Sequence, residues 1–283
     1  MRTPSSGTAV VGAGTMGRGI AQVLASAGAD VVLIDVSLDR ANAATAQITQ
    51  SLERAAARGL VDGVAEIVAR IHADDSYDRL AGVGLVIEAV PEDPVLKLAI
   101  LPRIEAAVDS TCLIGTNTSS ISIERLGAAL NAPERFCGLH FFNPVPASLL
   151  IEIVRGSCTS SDAIARASQW VAKLGKQSIV VRDSPGFASS RLGSLLGLEA
   201  MRMVEEGVAS AEDIDKAMVL GYRFPMGPLE LSDLVGIDVR MAVADYLAST
   251  LGPRFEPPRI MREMVARGDL GKKTGQGFYT WPR

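Results

Sequence analysis

Histidine and cysteine are scarce in this chain. Among 283 residues there are two histidines, His72 and His140, and three cysteines, Cys112, Cys137 and Cys158. An odd cysteine count without metal-ligand spacing excludes a disulfide framework and offers no metal site; reduced structural thiols in a cytoplasmic protein are expected. No apolar run approaches the roughly 18 residues that a membrane span requires, so no membrane partner is expected. Positive charge is in no surplus either: the formal net charge is −4, which leaves no electrostatic footprint for nucleic acid. Residues 1–6 lead straight into a strand pattern and leave no room for a secretory signal. What is present is the composition of a packed enzyme or binding protein, 48% apolar and 21% charged. Its length accommodates about two domains.

The chain opens on a loop suited to phosphates. Thr8, Ala9, Val10 and Val11 form a short buried-strand pattern, followed at once by Gly12-Ala13-Gly14-Thr15-Met16-Gly17. In such a turn Gly12 permits the sharp bend, Gly14 lets the backbone approach a pyrophosphate, and Gly17 lets helix and strand pack closely. Residues 20–27 read as the following helix, ended by Gly28. Its N-terminus offers N–H groups and partial positive charge to the phosphates. A second apolar strand, Val31-Val32-Leu33-Ile34, stops at Asp35. A carboxylate there, about 20 residues after the loop, accepts from the ribose hydroxyls and repels a 2′-phosphate, so the expected cofactor is NAD rather than NADP. The glycine loop alone also fits a packing turn; strand, loop, helix, strand and terminal acid in that order are specific.

Further strands are expected at 83–88, 112–116, 136–140, 149–154 and 177–181, with helices at 39–58 and 94–108 among them. This alternation argues a largely parallel, doubly wound α/β sheet of the Rossmann type. After Asp183 the segment Ser184-Pro185-Gly186-Phe187 reads as a boundary, and beyond it the helical period dominates. One helix spans 191–206, with Leu192, Leu195, Leu196, Ala200 and Val204 along one side. A second is capped by Ser210 and ended by Gly221, and a third starts at Pro228 and runs to about residue 248. The expected organisation is a dinucleotide-binding domain over 1–183 and a smaller all-α domain over 184–283. The helical domain carries surplus apolar residues, which implies a homodimer through it; a monomer whose helices pack only on the first domain is the competing reading.

Ligands of such sheets collect beyond the carboxyl ends of the strands. Three polar segments fall there: Glu88-Ala89-Val90-Pro91-Glu92, Thr116-Asn117-Thr118-Ser119 and His140-Phe141-Phe142-Asn143. A neutral imidazole, with an unperturbed pKa of about 6.5, suits proton transfer near neutral pH. Beside a nicotinamide that exchanges a hydride, His140 therefore points to alcohol–ketone redox chemistry. Each residue also has a plainer reading. His140 can be a hydrogen-bonded structural histidine, and Asn117 and Ser119 can cap the helix that follows. Lys272 and Lys273 can be a solvated pair, and His72, in a polar stretch, reads as exposed and inert.

The segments Val11-Gly12-Ala13-Gly14-Thr15-Met16-Gly17, Glu88-Ala89-Val90-Pro91-Glu92, Asn117-Thr118-Ser119-Ser120, His140-Phe141-Phe142-Asn143-Pro144, Asp183-Ser184-Pro185-Gly186-Phe187 and Lys272-Lys273-Thr274-Gly275-Gln276-Gly277-Phe278-Tyr279 resemble those of the L-3-hydroxyacyl-CoA dehydrogenase family. The resemblance covers nearly the whole length. It implies an NAD-dependent oxidoreductase that interconverts L-3-hydroxyacyl-CoA and 3-ketoacyl-CoA, on short chains such as 3-hydroxybutyryl-CoA. It implies His140 as a base paired with Glu152, and Ser119 at the substrate. Around the cofactor it places Gly12, Gly14, Thr15, Met16, Gly17, Asp35, Glu92, Lys97, Asn117, Ser119, Asn143 and Lys273. Ser51 matches a serine that contacts CoA, and Arg58 stands for a lysine while keeping a charge for phosphate. Glu152 owes its place to this resemblance; by itself an acid in an apolar run reads as an edge-strand surface residue.

One position departs from the family. Ser190, just before Arg191, replaces an asparagine that joins the catalytic set, and one hydroxyl stands in for an amide's two donors and acceptor. Two other readings stay in view: a non-catalytic NAD(H)-binding relative, for which Ser190 speaks, and a dehydrogenase of a free hydroxy or sugar acid on the same scaffold.

Overall fold

The computed structural model describes residues 7–282, so the expectation for residues 1–6 lies outside the described residues. Contacts divide the chain into two units, the first ending at Ser184 and the second beginning at Pro185.

In the first unit the strands are β1 (Gly7–Val11), β2 (Asp30–Ile34), β3 (Ile71–Asp74), β4 (Leu85–Glu88), β5 (Leu113–Thr116), β6 (Phe136–Phe141), β7 (Leu150–Arg155) and β8 (Gln177–Arg182). They form one sheet in the order β3-β2-β1-β4-β5-β6-β7-β8. Every neighbouring pair is parallel except β6 with β7. The helices are α1 (Thr15–Ser26), α2 (Leu38–Ala56), α3 (Val64–Ala69), α4 (Pro94–Ala107), α5 (Ile123–Gly127) and α6 (Ser161–Lys173). This is the doubly wound α/β sheet expected from the alternation of apolar runs.

Local chemistry explains the boundaries. β4, β5 and β6 are buried along their whole length, so their sequences read as continuous apolar runs. Ser37, Asp93 and Ser160 cap α2, α4 and α6 through side-chain oxygens that accept from backbone N–H groups. Leu60 N–H bonds back to Ala55 O past Gly59, whose φ is +68°, so α2 stops at Ala56 and Arg58 lies in the turn beyond it. The core gathers Val10, Leu33, Leu85, Leu113, Leu139 and Ile151 with Ile20, Leu24, Ile48 and Leu52 of the helices. The unanticipated strand is β3. Only its first residue, Ile71, is buried, and the edge leaves His72 exposed, so no apolar pattern announces it.

The second unit is helical: α7 (Ser189–Glu205), α8 (Ala211–Lys216), α9 (Pro228–Val235), α10 (Ile237–Leu251) and α11 (Arg259–Arg267). The single helix expected from Pro228 to about residue 248 is two. Gly236 adopts φ +103°, ending α9 and starting α10 in a new direction. Leu198, Met201, Leu229, Ile237, Leu247 and Phe255 pack as its own core. Among the described residues no helix is long and apolar enough to cross a membrane, and no cluster of histidine, cysteine and carboxylate could hold a metal ion.

The three thiols are unpaired in disulfides; Cys112 and Cys137 are buried and Cys158 is exposed. Burial disfavours the thiolate and pushes both Cys112 and Cys137 up to about 12. At mildly alkaline pH those two stay protonated and unreactive. A thiol reagent should therefore label one equivalent rapidly in the native protein and the remainder on unfolding. Rapid native labelling of more than one would contradict this burial.

Candidate active site

The parallel strands β1, β2, β4, β5 and β6 end along one edge of the sheet, and β7, running the other way, begins there. The polar segments expected at strand ends all lie at this edge.

The phosphate loop fits a dinucleotide. A Cβ on Gly12 would lie 2.7 Å from the backbone of Ala89, and one on Gly17 would overlap the Gly12 carbonyl, so both glycines are required by packing. Gly14 has nothing within 4 Å of where its Cβ would point and is exposed, leaving the backbone approachable. Thr15 and Met16 open α1, whose N-terminus has no side-chain cap and no acid in its first turn. At the end of β2 the Asp35 carboxylate accepts from Ala13 N–H and Val36 N–H, each at 2.8 Å, and pairs with Arg40 at 3.0 Å. The acid expected to meet the ribose is thus held against the phosphate loop.

Beside β1, the end of β4 carries a buried ionic cluster. Glu88 and Lys97 are both 0% exposed. Lys97 Nζ donates to Glu88 Oε1 at 2.7 Å and lies 3.5 Å from Glu92 Oε2. Glu88 Oε2 accepts from Thr116 Oγ1 at 2.6 Å, and Oε1 also accepts from Val90 N–H. Lys97, expected near the cofactor, thus has its ammonium inside the protein. Glu92 Oε1 takes Thr118 Oγ1 at 2.7 Å, Ser119 N–H at 2.8 Å and Ser119 Oγ at 3.2 Å. Burial raises the Glu92 carboxyl, but the Lys97 ammonium and the Thr118 and Ser119 hydrogen bonds outweigh it and hold the pKa below the ordinary value.

At the next strands, His140 lies directly opposite Glu152 in the antiparallel register of β6 and β7. Cross-strand partners place their side chains on one face, and His140 Nδ1 is 2.7 Å from Glu152 Oε2 with both residues buried. The imidazole also lies 4.4 Å from the Phe142 ring, tilted by 49°. Asn117 Oδ1 accepts from Phe141 N–H at 2.9 Å, tying the end of β5 to the end of β6. Asn143 is exposed in the turn that follows, at a cis bond to Pro144.

The remaining residues lie on other elements. Ser51 is half-buried on α2 and Arg58 exposed beyond it. In the helical unit, Ser190 is half-buried in the first turn of α7. Lys273 is bound to Asp238 at 2.5 and 2.7 Å. Its loop is fastened by buried Asp233, which accepts from Phe278 N–H, Tyr279 N–H and Trp281 Nε1, each at 2.9 Å. Glu88 and Thr116 open two of the segments expected at strand ends but carry no role of their own in the sequence, and Asp233 is not singled out there. The signal for Glu88 was an acid at the end of an otherwise apolar strand; Asp233 had none.

Residues 7–184 match the family model of the 3-hydroxyacyl-CoA dehydrogenase NAD binding domain, and residues 186–281 match that of the 3-hydroxyacyl-CoA dehydrogenase C-terminal domain. The chain is 42% identical over 281 residues to a 3-hydroxybutyryl-CoA dehydrogenase of Mycobacterium tuberculosis, covering 96% of this chain and 97% of that one. It is 41% identical over 275 residues to one of Bradyrhizobium diazoefficiens, covering 96% and 94%. The solved structure of (S)-3-hydroxybutyryl-CoA dehydrogenase from Ralstonia eutropha superposes with a TM-score of 0.94 at 41% identity, over 98% of this chain and 99% of that one. With both of its units matched in order, the chain belongs to the 3-hydroxyacyl-CoA dehydrogenase family, whose cofactor is NAD.

Proposed function

We propose that the protein interconverts L-3-hydroxyacyl-CoA and 3-ketoacyl-CoA with NAD, on short acyl chains such as 3-hydroxybutyryl-CoA, and that His140 is its proton-transfer catalyst. The observation that carries this is the 2.7 Å contact between His140 Nδ1 and Glu152 Oε2, at the sheet edge where the phosphate loop also lies. A carboxylate only accepts, so Nδ1 carries the proton, and in this mechanism Nε2 is the nitrogen that meets the substrate. In the oxidation direction Nε2 takes the hydroxyl proton of the substrate, and Glu152 stabilises the imidazolium that forms. In reduction the imidazolium returns that proton to the carbonyl oxygen. Bound NAD supplies the hydride acceptor. Ser119 hydrogen-bonds the same substrate oxygen, and Asn117 keeps the strand ends in register. Gly12, Gly14, Thr15, Met16 and Gly17 take the pyrophosphate, and Asp35 selects NAD by repelling a 2′-phosphate. Asn143 and Lys273 complete the cofactor set, while Ser51 and exposed Arg58 meet CoA.

Ser190 at the start of α7 stands where the family has an asparagine, and by that match it would offer the substrate one hydroxyl. The helical unit serves as the dimer interface. α7, α9 and α10 leave Leu192, Leu195, Leu196, Leu231, Leu234, Val235 and Val239 exposed, Leu192 by 60%. A second copy is the occupant such an extended apolar face fits, since one chain meets itself across a twofold axis. A cytoplasmic location accords with three cysteines outside disulfides.

Acetoacetyl-CoA should drive oxidation of NADH and far less of NADPH, and His140→Ala should lower kcat by about 10²–10⁴, or 3–5 kcal/mol of barrier. Near-parental turnover by that variant would refute the mechanism, and equal turnover of free acetoacetate would favour a dehydrogenase of free acids. Ser190→Asn should raise kcat several-fold, the worth of about one neutral hydrogen bond; an unchanged rate would mean that the pocket already fits serine. Sedimentation should give twice the chain mass, falling to one in Leu195→Glu/Leu231→Glu. A dimer that persists in that variant would move the interface elsewhere.

A further inference from the structure

We infer that Lys176 and Gly19 are positioning residues for the reaction: one from the head of β8 and one from α1, they set the place of the turn between β6 and β7, which carries Asn143. The inference rests on the reading that Asn143 meets the cofactor.

The two ends of a dinucleotide make separate demands. Its pyrophosphate belongs at residues 12–17. Its nicotinamide has to lie beside the substrate carbon whose oxygen His140 serves, with the reacting atoms about 3–3.5 Å apart. Asn143 follows His140 by three residues, so the turn belongs to the nicotinamide end. That turn has little of its own to hold it. Of residues 142–149 Val145 alone is buried, with 2% exposure. The N–H groups of Ala147 and Ser148 both close on Pro144 O, inside the turn. Towards β8, Lys176 Nζ donates to Val145 O at 2.8 Å and to Ser148 O, and Gln177 N–H donates to Leu149 O. One ammonium thus spans the turn, which suits a group with three donors around one atom. The buried valine faces another element. Val145 packs on α1 at Gly19, where a Cβ would lie 2.7 Å from the valine Cβ. Glycine inside a helix is a destabilising choice, and the close approach of Val145 accounts for it. α1 starts from the phosphate loop at Thr15, so the contact ties the place of the nicotinamide to that of the pyrophosphate.

A residue that holds this turn and a residue that holds the whole fold fail differently against ADP-ribose, which is the cofactor without its nicotinamide. Lys176→Met keeps the length of the side chain and removes its donors. In that variant ADP-ribose affinity should stay within about twofold, while NADH affinity falls about fivefold and kcat for acetoacetyl-CoA at saturating NADH about tenfold, as small misplacements of reacting groups do. Gly19→Ala pushes the turn away from α1 by one methyl and should give the same split. Combined with Lys176→Met it should cost less than the two separate losses together, because both displace one turn. Parental NADH affinity and kcat in Lys176→Met would overturn the inference. Equal weakening of ADP-ribose and NADH would overturn it too, by showing that Lys176 acts through the sheet as a whole. Strictly additive losses would mean two unconnected effects and have the same consequence. Should Lys176→Met fold poorly, Gly19→Ala alone makes the test, with the same split between ADP-ribose and NADH expected. Parental NADH affinity and kcat in Asn143→Ala would instead sink the assignment of Asn143 itself.

Discussion

One reversal of strand direction, between β6 and β7, decides which side chains meet at the sheet edge. A parallel sheet collects the carboxyl ends of its strands at one edge, but an imidazole there needs a carboxylate on its inner nitrogen. β7 supplies it by returning antiparallel from β6, so that its second turn of the pleat brings Glu152 opposite His140. A parallel β7 would have needed a crossover helix and would have set its amino end at the far edge. The short connection is itself held. Lys176 Nζ donates to the carbonyls of Val145 and Ser148, and Val145 packs so closely on α1 that a Cβ on Gly19 would lie 2.7 Å from it. α1 is the helix that starts from the phosphate loop. The turn between β6 and β7 and the phosphate loop are thus braced against each other through one valine and one glycine.

The same edge carries ions that stability alone does not account for. Burying a carboxylate and an ammonium costs several kcal/mol per ion, which their attraction only roughly offsets, and apolar replacements of similar volume are often as stable. Glu88 and Lys97 sit at 0% exposure in the midst of β4, α4 and β5. What such a pair adds is direction: each hydrogen bond fixes an angle that a methyl group would leave loose. The cluster lies where the chain must hold an irregular loop without a strand or helix to do it.

The sequence made much of this legible, for local reasons. The phosphate loop, the strands from β4 to β8 and the caps are written in neighbouring residues: glycines where side chains collide, apolar runs where strands are covered on both faces, hydroxyls and acids at helix starts. What was not legible depends on distant partners or on direction. β3 hides because an edge strand buries one residue in four. The break at Gly236 hides because a helical period continues across it, and a glycine in that setting reads equally as close packing. The antiparallel turn of β7 is not encoded in its own six residues, which is why Glu152 alone looked like a surface acid. The burial of Lys97 is not legible in its helix either, because its acceptors, Glu88 and Val90, lie on and just after the preceding strand.

The two groups proposed to meet the substrate oxygen, His140 and Ser119, are held in unlike ways, and the difference suits those proposed tasks. His140 is fixed on Nδ1 by a buried carboxylate and packed on Phe142, so its ring is in place before any ligand arrives. Preorganisation of this kind spares the reaction a reorganisation cost. Ser119 is fixed by its backbone, whose N–H reaches Glu92 at 2.8 Å, while its hydroxyl spans 3.2 Å to the same oxygen. Hydrogen bonds to charged groups are worth about 1.5–3 kcal/mol, and the longer one lies at the weak end. In the proposed mechanism the hydroxyl would turn from Glu92 to a substrate oxygen at small cost, with the backbone N–H still bonded to Glu92. In the proposed mechanism, a rigid base and a donor that changes partner would let the site hold an alcohol and a ketone in the same place, as a reaction that runs in both directions requires.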